Sequence, residues 1–225
     1  MSVGEAAVIA AAYVLGAVPT AYLVVRWLRG VDIRQYGSGN VGGSNVAALL
    51  GKPMGVAVAI SDIFIKGSVP VLAADLIFGY GLGVQAAAGM AAVVGHNWSV
   101  LLGFHGGRGI GTGGGAIIAM SIPMAAGYAG VAFVMWAFFR SSPVAWLVSL
   151  ATLPFWTAAL DPEPPLVAFS VLFLVVTAGK RLIAATPPGY RSPPGAGRWE
   201  LLLNRLLYDR DIKDRDAWVK RLPEA

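Results

Sequence analysis

Cysteine is absent from this chain, which removes both a disulfide framework and a thiol nucleophile. Charge is scarce: 13% of the 225 residues are charged against 56% hydrophobic, too little polarity for the surface of an ordinary soluble domain. With only two histidines, a zinc site would need carboxylate ligands as well, and nothing in the sequence calls for a metal or another cofactor. The formal charge of +5 would suggest nucleic acid in a soluble protein. Here the basic residues gather between apolar segments and in the tail, so they read as topology determinants and phosphate ligands, with no nucleic-acid partner expected. The positive mean hydropathy (+0.67) makes the lipid bilayer the expected solvent.

A bilayer core about 30 Å thick needs about 20 mostly apolar helical residues per span. Apolar stretches at 3–28, 53–78, 83–102, 110–121, 123–139, 143–160 and 165–185 predict an all-α, polytopic transmembrane helix bundle of about seven spans, the fourth being short. The first stretch is not read as a secretory signal, because it carries Glu5 instead of a basic leader and is followed by Arg26 and Arg29. The turns at 79–82, 122–123 and 161–164 contain neither Lys nor Arg, whereas 26–52, 105–108, Arg140 and the region from Lys180 onward are basic. That asymmetry predicts an external N-terminus and a cytoplasmic C-terminus. No internal repeat is evident, which argues against a transporter built from related halves, the main alternative class.

Residues 1–185 are expected to form the membrane domain and 186–225 a cytoplasmic extension. Its Pro/Gly-rich part reads as a linker. Beyond it, Trp199, Leu202, Leu203, Leu206 and Leu207 recur at helical spacing among charged residues. This predicts an amphipathic helix, lying either on the anionic inner leaflet or against the cytoplasmic loops.

Two polar segments can do chemistry. The first runs Asp32-Ile-Arg-Gln-Tyr-Gly37-Ser-Gly-Asn40-Val-Gly42-Gly-Ser-Asn45. Gly37, Gly39 and Gly42 match a dinucleotide fingerprint with Asp62 further on, but a loop between two membrane helices is no βαβ unit. Glycines do let backbone N–H groups turn toward an anion, and Ser38, Asn40, Ser44 and Asn45 add neutral donors. Phosphate is the natural guest.

The second segment follows Gly95-His96-Asn97-Trp98 and runs Gly103-Phe-His105-Gly106-Gly107-Arg108-Gly-Ile-Gly-Thr112. It places a fixed positive charge beside a helix start, again suiting an anion. Gly111, Gly113 and Gly115 read as close helix packing; Gly106 and Gly107 read as part of the anion site. Asp62 and Lys66 lie one turn apart within a span, where charge is costly. Either they satisfy each other, or Lys66 reaches the phosphate loops with Asp62 orienting it. His96 is either a hydrogen-bonded structural residue or a general base.

Together, Gly37-Ser-Gly-Asn-Val-Gly with Asn45, Lys66-Gly67, Gly95-His96, Phe104, Gly106-Gly-Arg108-Gly and Thr112 resemble the PlsY family of bacterial membrane acyltransferases. The resemblance implies transfer of a fatty acyl group from acyl phosphate to the 1-hydroxyl of glycerol 3-phosphate, giving lysophosphatidic acid for phospholipid synthesis. It implies a multi-pass protein of the bacterial cell membrane with its site on the cytoplasmic face. His96, Arg108 and Ser38 would be catalytic. Gly37, Ser38, Gly39, Asn40, Ser44, Asn45, Lys66, Gly106, Gly107, Arg108 and Thr112 would hold substrate phosphate. Several positions depart from the family pattern. Gly43-Ser44 replaces Ala-Thr, Ala48 stands where an arginine is usual, Ser99 replaces a proline, His105 a lysine, and Arg108 a lysine. The third family motif has no clean match, with Lys180-Arg181 and Asn204-Arg205 as two candidate substitutes.

Overall fold

A computed structural model describes residues 1–183, 197–214 and 217. Of the expected linker at 186–197 only Gly197 is among them, and the boundary between membrane domain and tail lies outside them. Among the described residues the regular elements are helical: α1 (Val3–Ala17), α2 (Thr20–Arg29), α3 (Gly43–Leu50), α4 (Lys52–Ile77), α5 (Leu82–Asn97), α6 (Ile110–Met120), α7 (Ile122–Phe139), α8 (Ser142–Leu160), α9 (Pro164–Leu182) and α10 (Arg198–Tyr208). One isolated bridge pairs Ser99 with His105.

Five stretches are long and apolar enough to cross a membrane: α1 with α2 (Val3–Arg29), α4, α7, α8 and α9. Of the seven expected, the remaining two are shorter. α5 has 16 residues and α6 has 11. The α5 stretch ends early because Asn97 is followed by a loop containing a single turn at Val100–Leu102.

The first stretch is broken where a continuous helix was expected. Pro19 has no N–H and crowds the residue before it, so Val18 turns out of helical geometry at φ −58°, ψ 117°. The Ala17 carbonyl left unpaired by this break accepts a 2.5 Å hydrogen bond from Ser99 Oγ. α1 lies against α5 at backbone distance, since a Cβ at Gly16 would strike the Ala92 carbonyl and one at Gly95 the Tyr13 carbonyl.

α4 is wound as a π-helix over Ser61–Ser68, with the Val69 N–H bonded to the Phe64 carbonyl. Pro70, which lacks an N–H and crowds the carbonyl one turn before it, makes the wider winding reasonable here. The α6 backbone nests against this segment: a Cβ at Gly115 would meet the Ile63 carbonyl, and Ser68 Oγ donates to the Gly115 carbonyl at 2.8 Å. Gly113 faces the Phe173 ring, and Gly111 packs on Asp62 and Ile63. The packing role expected for these three glycines is the one observed.

The main core joins Val71, Val93, Ile117, Leu150, Phe169 and Phe173. A second cluster, of Val25, Ile33, Val41, Val46 and Val58, fastens the first polar loop to the bundle. At the opposite end Ser121 caps α7, donating to Asp161 at 2.6 Å.

Candidate active site

The first loop is held by its own side chains. Asp32 accepts from the Arg34 backbone N–H at 2.9 Å and from its guanidinium at 2.6 Å. Partial burial pushes the Asp32 carboxyl up, but the Arg34 hydrogen bonds and charge outweigh it and leave the group below its usual value. Gly37 and Gly39 take left-handed φ angles of 55° and 68°. A Cβ at Gly37 would also collide with Asn45 Oδ1.

Asn45 is buried beneath this turn. Its Nδ2 donates to the carbonyls of Ile33 (3.2 Å), Tyr36 (3.0 Å) and Asn40 (3.1 Å), while Oδ1 accepts from the Ser38 N–H at 3.3 Å. Among the expected phosphate donors, Asn45 therefore serves the loop's backbone in this conformation. Ser38 Oγ accepts from the Asn40 N–H at 3.4 Å, so its own hydroxyl hydrogen remains available. Ser44 and Ala48 are exposed on α3.

The second loop folds over the end of α5. The Gly107 N–H donates to the His96 carbonyl at 3.0 Å. A Cβ at Gly106 would strike the His96 and Asn97 carbonyls, and one at Gly107 would strike His96 Nε2 and the Val41 carbonyl. Both glycines are therefore required by close approach, and at Gly107 the two polar loops meet. His105, by contrast, is exposed.

Between these parts lies a small cleft lined by Ala17, Pro19, Val41, Lys66, His96 and Gly106, together with Gly16, Val18, Ser99 and Leu102. The break at Pro19, the α4 interior, the end of α5 and both loops thus converge. Lys66 Nζ is 2.7 Å from Asp62 Oδ1, and His96 Nδ1 faces the same oxygen at 3.8 Å, beyond hydrogen-bond length. Thr112 is wholly buried, its backbone against Gly67 and its hydroxyl without a partner among the described residues.

Comparison with known proteins decides the family. A family model described as glycerol-3-phosphate acyltransferase matches residues 6–184. This chain belongs to the glycerol-3-phosphate acyltransferase family. It is 38% identical over 218 residues to glycerol-3-phosphate acyltransferase 5 of Dehalococcoides mccartyi, covering 94% of this chain and 91% of the relative. It is 36% identical over 167 residues to the corresponding protein of Geobacter sulfurreducens, covering 74% and 84%. Two crystal structures of PlsY, an integral membrane glycerol 3-phosphate acyltransferase, are similar in fold. The glycerol 3-phosphate form has TM-score 0.74 at 29% identity, covering 79% of this chain and 88% of PlsY. The form with lysophosphatidic acid has TM-score 0.75 at 26% identity, covering 96% and 98%.

For an acyltransferase of this family, the cleft supplies a cation in Lys66, an imidazole in His96 and backbone turns from both loops. Arg108 is buried beside it, its carbonyl accepting from Thr177 Oγ1 at 3.4 Å and its Nε–H donating to Asp209 Oδ1 at 2.5 Å. Four further residues lie at this end of the bundle: Lys180 and Arg181, the first candidate pair for the third motif, and Asn97 and Asp209, to which the sequence assigned no role. Asn97 is wholly buried, with neither amide atom partnered among the described residues, beside the backbone of Gly109. Lys180 Nζ lies 4.9 Å from the Trp98 ring centre. Arg181 donates to the carbonyls of Pro143 (3.0 Å) and Leu206 (2.9 Å). Asp209, in the tail, holds Arg108. The second candidate pair for the third motif, Asn204-Arg205, is spent on Asp211: Arg205 Nε donates to its carboxylate at 2.6 Å and Asn204 to its carbonyl at 3.3 Å. α10 thereby packs on α8 and α9, and it leaves Trp199, Leu203 and Leu207 exposed.

Proposed function

We propose that this chain transfers a fatty acyl group from acyl phosphate to the 1-hydroxyl of glycerol 3-phosphate, releasing phosphate and lysophosphatidic acid. The observation that carries the reading is the convergence of Lys66, His96 and the two glycine-rich loops on one cleft, with Arg108 beside it. Both substrates carry phosphate, and the site offers two cations and turned backbone N–H groups to hold them. The 1-hydroxyl oxygen forms a bond to the acyl carbonyl carbon, the carbonyl–phosphate oxygen bond breaks, and phosphate leaves with that electron pair. The hydroxyl proton passes either to His96 or to an oxygen of a substrate phosphate. Because acyl phosphate is already activated, the residues mainly hold two anions together and stabilise charge on the carbonyl and leaving group. The Ser38 hydroxyl and the Asn40 side chain, just before Val41 enters the cleft, supply neutral donors to that charge, and the left-handed Gly39 turns the chain between them. Gly37 shapes their turn, and Gly106 and Gly107 let the second loop come close.

The cleft faces the cytoplasm in this reading, with the N-terminus outside and about seven membrane passages, two of them by the short α5 and α6. The absence of Lys and Arg from the opposite turns supports that orientation. Residues from 186 onward form a cytoplasmic extension.

The test is purified protein in lipid or detergent, supplied with palmitoyl phosphate and glycerol 3-phosphate and scored for lysophosphatidic acid. Product is expected from the natural chain and its loss from Arg108→Ala. Palmitoyl-CoA should not replace the phosphate donor. A natural chain that makes no product overturns the reading.

A further inference from the structure

We propose that Asp209 is a positioning residue for Arg108, so that the tail helix completes the active site. The inference rests on the acyltransferase reading, in which Arg108 holds substrate phosphate. The ion pair joins residues 101 positions apart, with Arg108 Nε 2.5 Å from Asp209 Oδ1. A guanidinium is planar, so fixing its Nε edge fixes the plane and the direction of its two terminal nitrogens. Among the described residues those terminal nitrogens have no hydrogen-bond partner, and Arg108 itself is buried. The carboxylate thus grips the side of the fork and leaves its end for a bidentate phosphate. A carboxylate serving only as an internal substitute for substrate would instead cap that end.

The backbone at Asp209 sharpens the argument. It terminates α10 in a left-handed conformation, φ 57° and ψ 36°, where glycine is the undemanding residue. The residue present is less at ease there and carries the carboxylate that reaches Arg108. The tail is also docked firmly enough to serve as a support. Arg205 bridges Asp211 at 2.6 Å and the Leu182 carbonyl at 3.2 Å, and Arg181 reaches the Leu206 carbonyl at 2.9 Å. α10 lies beyond the residues matched by the family model.

Asp209→Gly and Asp209→Asn test this, because both residues accept a left-handed backbone and neither supplies the charge. Both variants leave the buried Arg108 without its partner and should lower the melting temperature, less so in the glycine variant, which relieves the left-handed backbone. kcat/KM in the palmitoyl phosphate assay should fall by about tenfold or more, as for a misaimed binding group, with KM for glycerol 3-phosphate rising. Lysine has no Nε–H edge to grip, so in an Arg108→Lys background the same Asp209→Gly change should alter kcat/KM by less than about twofold. If Arg108→Lys turns over too slowly, the comparison is read from the Kd for glycerol 3-phosphate. An equal loss in both backgrounds, an unchanged kcat/KM in Asp209→Gly, or a lowered KM overturns the positioning role alone. A natural chain without activity removes the acyltransferase reading, and the positioning role with it.

Discussion

Lys66 Nζ lies 2.7 Å from Asp62 Oδ1 inside α4, both side chains almost wholly buried, and the His96 imidazole faces the same carboxylate oxygen from α5 at 3.8 Å. The pair sits in the π-wound part of the helix, and its lysine lines the cleft. Removing one partner strands a buried charge.

Asp62→Asn or Lys66→Met alone should therefore destabilise the protein by about 3–5 kcal/mol, whereas the double variant should recover most of that loss. Thermal unfolding in detergent measures both. If Lys66 also binds phosphate, the double variant stays folded yet makes no lysophosphatidic acid. A folded double variant with normal turnover would confine the pair to a structural role.

The Asn45 amide faces three backbone carbonyls with its Nδ2. Asn45→Asp replaces a donor by an acceptor of nearly the same shape and sets a carboxylate against those carbonyls. Asn45→Ala removes the bonds without the repulsion, costing about 1 kcal/mol for each. Both should open the first loop to proteases and reduce turnover, the aspartate more severely. Limited proteolysis at 35–42, compared with the natural chain, reads this directly.

Gly107→Ala forces a methyl group against His96 Nε2 and the Val41 carbonyl, and should abolish activity by separating the two loops. Gly130→Ala is the contrasting case. Nothing lies near that position on the exposed face of α7, so the change should stabilise the helix by about 0.5–1 kcal/mol and leave turnover alone.

Because the chain has no cysteine, single introduced thiols report orientation without background. Gln35→Cys and Glu163→Cys both replace exposed residues at opposite ends of the bundle. A membrane-impermeant maleimide should label position 163 in intact cells and position 35 only after lysis. The reverse pattern would invert the orientation.

Much of this architecture was legible in the sequence because hydropathy acts along the chain. The apolar stretches, the meeting of the two polar loops at one end, and the packing glycines at 113 and 115 follow from local pattern. What was not legible depends on lateral partners or on single backbone bonds. The break at Pro19 was open to reading, since a proline inside an apolar run signals one, but its repair by Ser99 was not. The direction in which Asn45 turns depends on how its loop folds back upon it. Nothing in spacing connects Arg108 with Asp209, and the left-handed turn that aims this carboxylate usually announces itself by a glycine.

α6 determines how far the chemistry stands from water. Its 11 residues rise about 16 Å, roughly half of a hydrocarbon slab about 30 Å thick. In the proposed topology the Ser121 end, joined to Asp161, lies at one boundary, and Ile110 and the loop before it would not also reach the opposite boundary of an undistorted bilayer. Either that loop dips into the slab or the lipid thins to meet it. In the proposed reaction, a dipped loop would bring the polar acceptor down toward the fatty chain of the donor, and a thinned bilayer would bring that chain to the loop.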